Sequence, residues 1–169
     1  VMAELARASY ETDVNKAINL ALKATALAKN EKEKGIVAFC YGSMGHLLMR
    51  KGQEKRAAGY IDSAMRFAEQ SDNPLYAGYA WLRKGWFHLN QNDNEMAMAA
   101  FITADKLLKG VSNRKSLSYR TLINHYAASI YAYGSDTLKQ HKYALATLQL
   151  SKQGQFPDDV QMGCMSLAH

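Results

Sequence analysis

One segment of about 40 residues is written twice in succession in the middle of this chain. The recurring small and apolar residues are Gly45, Ala57, Ile61 and Ala64, which return 40 positions later as Gly85, Ala97, Phe101 and Ala104. Tyr41 returns as Trp81 at the same spacing, and Ala17 precedes Ala57 by another 40 positions. A repeat of this length indicates a supersecondary unit that cannot bury its apolar face alone and must stack on its neighbours. The repeat therefore constrains the fold more than any single motif does.

The repeat predicts one domain over residues 1–169, with units at about 1–32, 33–72, 73–112 and 113–154 and a further helix starting within 155–169. Proline occurs only at positions 74 and 157, and Ala, Leu, Met, Lys and Glu dominate the intervals, which favours helix nearly throughout. We expect an all-α fold, a right-handed α-solenoid of antiparallel helix pairs without strands. The expected helices are 1–11, 14–30, 36–51, 54–71, 74–89, 95–109, 114–133 and 138–153.

Two helix ends have clear local signals. Gly52 can adopt the left-handed conformation that closes a helix, because it has no Cβ. Asn73 and Pro74 read as a capping residue followed by a proline in the first turn, where its missing N–H is not needed. In the third pair, Ala128 is expected at the position of Gly85. The hairpin loop that follows is expected to carry four extra residues, since the positions of Ala97, Phe101 and Ala104 are assigned to Ala144, Leu148 and Ser151.

Length and composition exclude several classes of protein. A chain of 169 residues with 48% apolar content can bury a core without disulfides. Cys40 and Cys164 lie too far apart in sequence to suggest a zinc or redox motif, and Cys40 is expected to be buried. No apolar run is long enough for a membrane span, so we expect a cytoplasmic domain without membrane contact, with a periplasmic regulator domain as the alternative. The chain is expected to be excised from a longer protein and to self-associate through uncapped ends.

The net charge of +6 is concentrated in the last full repeat. Between positions 106 and 152 the single acid is Asp136, and the basic residues are Lys106, Lys109, Arg114, Lys115, Arg120, Lys139, Lys142 and Lys152. A solvated surface explains this block, and so does an acidic partner. The calculated pI of about 9.3 also raises nucleic acid as an alternative ligand. No helix-turn-helix, zinc or RNA-binding signature accompanies the charge, which makes nucleic acid the second hypothesis.

The segment Trp81-Leu82-Arg83-Lys84-Gly85, followed by Ala97, Phe101 and Ala104, resembles the tetratricopeptide repeat. That family has a large aromatic, a Gly and then two small residues around an aromatic, with the same Gly-to-Ala interval of 12 positions. Lys84 and His88 depart from the pattern, where the family has Leu and Tyr. The period of 40 also exceeds the family's value of about 34 residues. Long-period repeats of this kind resemble those of bacterial signalling regulators, and the resemblance covers about residues 12–153.

The small residues of the pattern have a physical explanation. Gly45 and Gly85 on first helices, facing alanines such as Ala57 and Ala97 on second helices, remove side-chain bulk where two helices cross. The axes can then approach to about 8 Å, the lower end of the usual range. Tyr41, Trp81, Ile61 and Phe101 are expected to fill the space between the helix pairs.

No catalytic or metal-binding pattern is present in the sequence. It lacks a Gly-rich phosphate loop, H-E-x-x-H and G-x-S-x-G, and its five histidines have no ligand spacing on a shared helix face. We therefore expect a protein that is not an enzyme and that uses no cofactor or metal. The leading hypothesis is a noncatalytic scaffold that binds a protein or peptide segment, with apolar, aromatic or acidic residues in that segment.

The resemblance also implies which residues line a binding groove. In peptide-binding members, the second, fifth, ninth, twelfth and thirteenth positions of each first helix face the concave side. The matching positions are Phe39, Gly42, His46, Met49 and Arg50, then Tyr79, Leu82, Trp86, Leu89 and Asn90, then Leu122, His125, Ser129 and Tyr133. The alternative is that Tyr79 and Trp86 pack against neighbouring helices instead.

The family's clamp for a C-terminal carboxylate is missing from this sequence. Its Lys, Asn and Arg positions are occupied here by Gly42, His46, Arg83, Leu122 and Tyr126. Binding of a chaperone tail is therefore not expected. Arg83 is kept among the groove residues as a polar contact.

Overall fold

The computed structural model describes residues 14–28, 33–157, 160 and 163–164. Within these ranges the chain forms seven α-helices and no strand, so the predicted all-α class is confirmed. The helices are α1 (Val14–Ala28), α2 (Lys34–Arg50), α3 (Glu54–Ala68), α4 (Pro74–Asn90), α5 (Asn94–Lys109), α6 (Arg114–Tyr133) and α7 (Thr137–Gly154). The helix predicted at 1–11 lies outside the described residues, as does most of the one predicted within 155–169. None of the seven is long and apolar enough to cross a bilayer.

The helix ends follow the local signals in the sequence. Gly52 has a φ of 73°, the left-handed conformation predicted after the first helix of its pair. Asn73 caps α4, its side chain accepting a 3.1 Å hydrogen bond from the Leu75 backbone N–H, and Pro74 starts the helix. Asp93 caps α5 in the same way by accepting from the Met96 N–H. Because these caps depend on adjacent residues only, the predicted ends agree with the structure within about three residues.

Three turns of three residues each, at 51–53, 91–93 and 134–136, join the helices into antiparallel pairs α2–α3, α4–α5 and α6–α7. The first helices also pack side by side, α2 on α4 and α4 on α6. Among the described residues, the second helices α3 and α5 make no comparable backbone approach to each other. The first helices therefore form a continuous layer.

Glycines allow the closest contacts within the helix pairs, as the sequence predicts. A Cβ added at Gly45 would lie 2.8 Å from Cδ1 of Ile61, and one added at Gly85 would lie 2.5 Å from Cδ1 and Cε1 of Phe101. These distances are far below a normal carbon–carbon contact. Ile61 and Phe101 are themselves buried, so they occupy the space that a side chain at position 45 or 85 would need.

We expect Ala97→Leu to lower the free energy of unfolding by roughly 1–3 kcal/mol, because Ala97 is fully buried in the pair interface and a larger side chain overpacks it. Urea denaturation followed by circular dichroism measures the change. Ala99→Leu is the matched control, since Ala99 is exposed on the same helix. Equal stability of the two variants would contradict the packing described here.

The third pair differs from the prediction. The turn at 134–136 has the same length as the other two, so the expected four extra loop residues are absent. Equivalent backbone hydrogen bonds at the start of each second helix join Ala57 N–H to Gln53 O, Ala97 N–H to Asp93 O and Gln140 N–H to Asp136 O. Gln140, which is buried, is therefore the counterpart of Ala97, and it follows Ala128 by the usual 12 positions.

The register proposed for α7 is therefore wrong. Ala144 takes the position of Phe101 and Thr147 that of Ala104, and both are fully buried, whereas Leu148 is only partly buried. The additional residues of this unit lie in α6, which has 20 residues against 17 in α4. A polar glutamine at a position where the other copies have alanine is what hid the correct register.

Candidate functional site

A cleft of about 650 Å³ opens on the layer of first helices. It touches three successive first helices, since its walls come from α2, α4 and α6. Its lining residues are His46, Leu47, Arg50, Arg83, Trp86, Lys115, Ser118, Tyr119, Leu122 and Tyr126. The cleft therefore combines apolar and aromatic surface with basic groups.

The cleft crosses the helices obliquely. It begins near the C-terminus of α2 at His46 and Arg50, passes the second half of α4 at Arg83 and Trp86, and reaches the N-terminal half of α6 from Lys115 onwards. On α6 the lining residues are spaced by three, four or seven positions, which is one face of a helix. A segment bound along the cleft would therefore contact each first helix at a different position along its length.

Arg83 is the most unusual residue of the cleft, because it is a basic side chain that is only 3% exposed. Its stem lies against Gly42, where an added Cβ would be 3.7 Å from Cγ of Arg83. Its guanidinium lies over the Tyr79 ring, with Cζ 4.8 Å from the ring centroid. The buried Nε has no hydrogen-bond acceptor among the described residues. Buried donors in this state are rare and indicate a missing partner.

Trp86 forms the aromatic wall of the cleft together with His46. The two ring centroids are 4.5 Å apart in an edge-on arrangement, and both side chains are partly exposed. Trp86 also packs against the core cluster around Met44 and Leu48, so its position is fixed from one side. The structure therefore combines both readings of Trp86: part of it packs on neighbours and part faces the cleft.

The charge of the cleft lining has one sign. Arg50 and Lys115 are exposed at its edge, Arg83 lies inside, and no Asp or Glu of the described chain is among the lining residues. Basic groups concentrated in a concave site raise the local concentration of anions. The cleft is therefore suited to a ligand that carries negative charge next to apolar surface.

Five of the predicted groove residues are core residues instead, and this corrects the sequence prediction. Tyr79 and Leu82 have 0% exposure, and Phe39, Gly42 and Met49 are also buried. Phe39 and Tyr79 belong to an aromatic ladder between the first helices, with Tyr79 centroids 4.5 Å from Phe39 and 5.0 Å from Tyr119. The Tyr79 hydroxyl is 2.9 Å from Ser43 Oγ. The ladder joins the three first helices, and of its three rings only Tyr119 is among the residues that line the cleft.

Five further predicted residues lie outside the cleft lining, namely Leu89, Asn90, His125, Ser129 and Tyr133. Leu89 packs against the main core, and the Asn90 side chain donates to the Trp86 carbonyl. Ser129 donates to the His125 carbonyl one turn before it, and burial lowers the pKa of His125, which favours the neutral ring. Tyr133 is 90% exposed at the end of α6. These assignments assumed a groove that runs straight across the helices.

The cleft lining brings together four of the predicted site residues: His46, Arg50, Arg83 and Trp86. It also contains Leu122 and Tyr126, which the sequence analysis placed at groove and clamp positions of the family. Four further residues line the cleft and were not among the predicted site residues: Leu47, Lys115, Ser118 and Tyr119. The helical spacing of Lys115, Ser118, Leu122 and Tyr126 is the signal that could have revealed them.

Much of the basic block in the last repeat is engaged within the chain. Arg120 and Lys109 both pair with Asp105, at 2.8 and 3.2 Å, and Lys139 pairs with Asp136 at 3.1 Å. Arg114 lies over the Phe156 ring. Four of the eight basic residues of this block therefore already have a partner within the chain. Lys115 is the member of the block that reaches the cleft.

The described residues contain no cluster of three His, Cys, Asp or Glu side chains that could hold a metal ion. Cys40 is buried, as predicted, and Cys164 is exposed. Neither cysteine belongs to the cleft lining.

Comparisons with known proteins give a fold but no family. No protein-family model matches the chain, and no curated protein is similar to it in sequence. Among solved structures, the chain is similar to the crystal structure of BtubC (BKLC) from P. vanneervenii, with a TM-score of 0.77 and 16% identity. The match covers 98% of this chain and 68% of BtubC. At this identity the similarity extends to the all-helical fold alone.

Proposed function

We propose that this chain is a noncatalytic α-solenoid of the tetratricopeptide type, which binds a peptide or protein segment in the cleft on its first helices. The cleft across α2, α4 and α6 is the observation that carries this proposal, because one extended segment would contact three successive repeats at once. Grooves of this kind recognise segments through pockets and aromatic anchors. Within a larger protein, such a module would act as the sensory or regulatory domain that the resemblance implies.

The packing of the helices supports the solenoid. Equivalent residues meet in successive pairs, with Gly45 against Ile61 and Gly85 against Phe101. First helices pack on first helices, while α3 and α5 stay apart at the backbone level among the described residues. When neighbouring repeats lie closer together along one layer of helices than along the other, the stack curves, and the closer layer lies on its concave side. The curvature makes the first-helix side concave, which is the side of the cleft.

Nucleic-acid binding is the alternative function, and the internal ion pairs count against it. A duplex or single strand is bound by a row of accessible cations that contact phosphates. Here Arg120, Lys109 and Lys139 already have carboxylate partners within the chain. The exposed cations that remain are spread over several helices. The net charge of +6 is better explained by the cleft and by solvation.

A selection experiment tests the proposed function. A random peptide library is selected on the purified chain, and binders are counter-selected on the Trp86→Ala variant. We expect peptides whose binding depends on Trp86 and weakens less with rising salt than retention on DNA does. Retention on heparin and duplex DNA across a salt series is measured in parallel, since phosphate contacts weaken steeply as salt rises. Strong salt-dependent DNA retention without any Trp86-dependent peptide would favour the nucleic-acid alternative.

A further inference from the structure

We propose that the Arg83 guanidinium binds the side-chain carboxylate of an acidic residue in the partner segment. This inference rests on the proposed function and names the charged group that the cleft selects. It is carried by the burial of Arg83 between α2 and α4 and by its Nε, which has no acceptor among the described residues.

The packing around Arg83 supplies no carboxylate partner from the described residues. Gly42 gives its stem room on one side, and the Tyr79 ring covers one face of the guanidinium at 4.8 Å. An aromatic face offsets part of the lost hydration of a cation but offers no hydrogen-bond acceptor. Nε is buried and has no acceptor within the described chain. A charge held this way is strongly favoured to pair with an incoming anion.

The chemistry of the guanidinium selects the ligand group. Its planar fork of N–H donors matches the two oxygens of a carboxylate, and such charge-assisted pairs are among the strongest hydrogen bonds in proteins. Arg50 and Lys115 at the edge of the cleft attract anions towards it without competing acids in the lining. Trp86, Leu122 and Tyr126, which are partly exposed, supply apolar surface beside the charge. This combination fits an Asp or Glu flanked by apolar or aromatic residues better than it fits a free phosphate.

Arg83 differs from the other cations near the first helices. Arg120 has Asp105 at 2.8 Å, and Arg114 donates to the carbonyls of Gly154 and Gln155. Their hydrogen-bonding capacity is used inside the chain, whereas that of Arg83 is directed into a cleft. Unlike Arg114 and Arg120, Arg83 is therefore buried with an Nε donor that a ligand can engage.

The test compares peptide pools selected from a random peptide library on the native chain, on Arg83→Met and on Arg66→Met. Arg66 is exposed on α3, outside the cleft, and controls for the loss of one arginine. We expect Asp or Glu at a fixed distance from an aromatic residue in the native and Arg66→Met pools. The Arg83→Met pool should keep the aromatic residue and lose the acid.

One selected peptide and its Glu→Gln or Asp→Asn twin then give the effect directly. On the native chain the twin should bind about tenfold more weakly or worse, because a charge-assisted hydrogen bond is lost. On Arg83→Met the two peptides should bind equally. Arg83→Lys, which keeps the charge without the fork, should fall between the native chain and Arg83→Met.

Failure of the inference and failure of the proposed function give different results. Trp86-dependent binders without an acidic preference, or with a preference that survives Arg83→Met, would overturn the inference alone. No Trp86-dependent binder on the native chain would overturn both. Displacement of the peptide by inorganic phosphate, but not by chloride at equal ionic strength, together with equal binding of the neutral twin, would assign the site to phosphate and contradict the carboxylate.

The thermal midpoint of the free variants provides a readout that needs no ligand. Arg83→Met should unfold at the same temperature as the native chain or above it, since an apolar side chain replaces a buried charge without a partner. A large drop for both Arg83→Met and Arg83→Lys would mean that Arg83 serves the fold, and would overturn the inference.

Discussion

Trp86→Ala is expected to weaken binding of a peptide selected on this chain by at least about 2 kcal/mol, while the helical content stays unchanged. Trp86 presents an aromatic surface in the centre of the cleft, between α2 and α6, with His46 holding one side of the ring. Aromatic anchors in such a position carry most of the binding energy at peptide interfaces. Isothermal titration calorimetry measures the loss, and circular dichroism checks the fold.

Tyr133→Ala is the matched control for this prediction. Tyr133 is an aromatic residue on a first helix that family positions assigned to the groove, but it is 90% exposed and lies outside the cleft lining. Its replacement should change the binding free energy by less than about 0.5 kcal/mol. Normal binding by Trp86→Ala, unfolding of that variant, or an equal loss in Tyr133→Ala would each refute the location of the site.

Gly85→Leu is expected to lower the free energy of unfolding by roughly 3 kcal/mol, the upper end of the usual overpacking cost. A Cβ at position 85 already meets the Phe101 ring at 2.5 Å, and that ring is 1% exposed, so it has no space to move into. The loss exceeds the gain of about 0.8 kcal/mol that leaving glycine gives a helix. Urea unfolding measures the net effect.

Gly59→Leu separates the clash from the helix propensity. Gly59 lies in the middle of α3 with no atom within 4 Å of an added Cβ, so the same substitution should be neutral or slightly stabilising there. Adding Phe101→Ala to Gly85→Leu should recover part of the loss, because the two side chains then no longer compete for one space. Full stability of Gly85→Leu alone would show that the helices do not cross at this point.

The positions and ends of the helices could be predicted from the sequence, because the signals for them are local or periodic. Gly52, Asn73 with Pro74, and Asp93 fix helix ends through contacts with their immediate neighbours. The 40-residue period identified the glycines at the helix crossings. The register of α7 in the third pair was predicted wrongly, because Gln140 takes a position where the first two pairs have alanine.

The cleft was predicted only in part, for a geometric reason. Positions carried over from a family assume that each first helix contacts the ligand at the same point along its length. In the structure, the cleft is lined instead by the end of α2, at His46 and Arg50, and by the start of α6, at Lys115. How far successive pairs rotate depends on packing between repeats, which a single sequence does not specify. His46 and Trp86 are near the crossing line, and both of these predicted residues are therefore part of the cleft lining.

The aromatic ladder explains the other corrections. Phe39 and Tyr79 are 40 positions apart, so the repeat itself marked them as equivalent. Equivalence in sequence does not tell a buried contact between helices from an exposed groove position. Here the Phe39 and Tyr79 rings pack on each other at 4.5 Å, and their burial removes both from the cleft lining. Apolar residues at equivalent positions of stacked repeats are best assigned first to the contacts between repeats.

The most direct test of peptide binding in the cleft is the NMR signal of the Trp86 indole N–H as a selected peptide is added. The chain has two tryptophans, and Trp81 lies outside the cleft with the Lys84 ammonium 5.0 Å from its ring centroid. Labelling tryptophan with ¹⁵N therefore gives one reporter and one internal control, assigned with Trp81→Phe. We predict that the Trp86 signal shifts and saturates with the calorimetric Kd while the Trp81 signal stays. Calorimetric binding with an unmoved Trp86 signal, or with a shift at Trp81 instead, would contradict the cleft as the binding site.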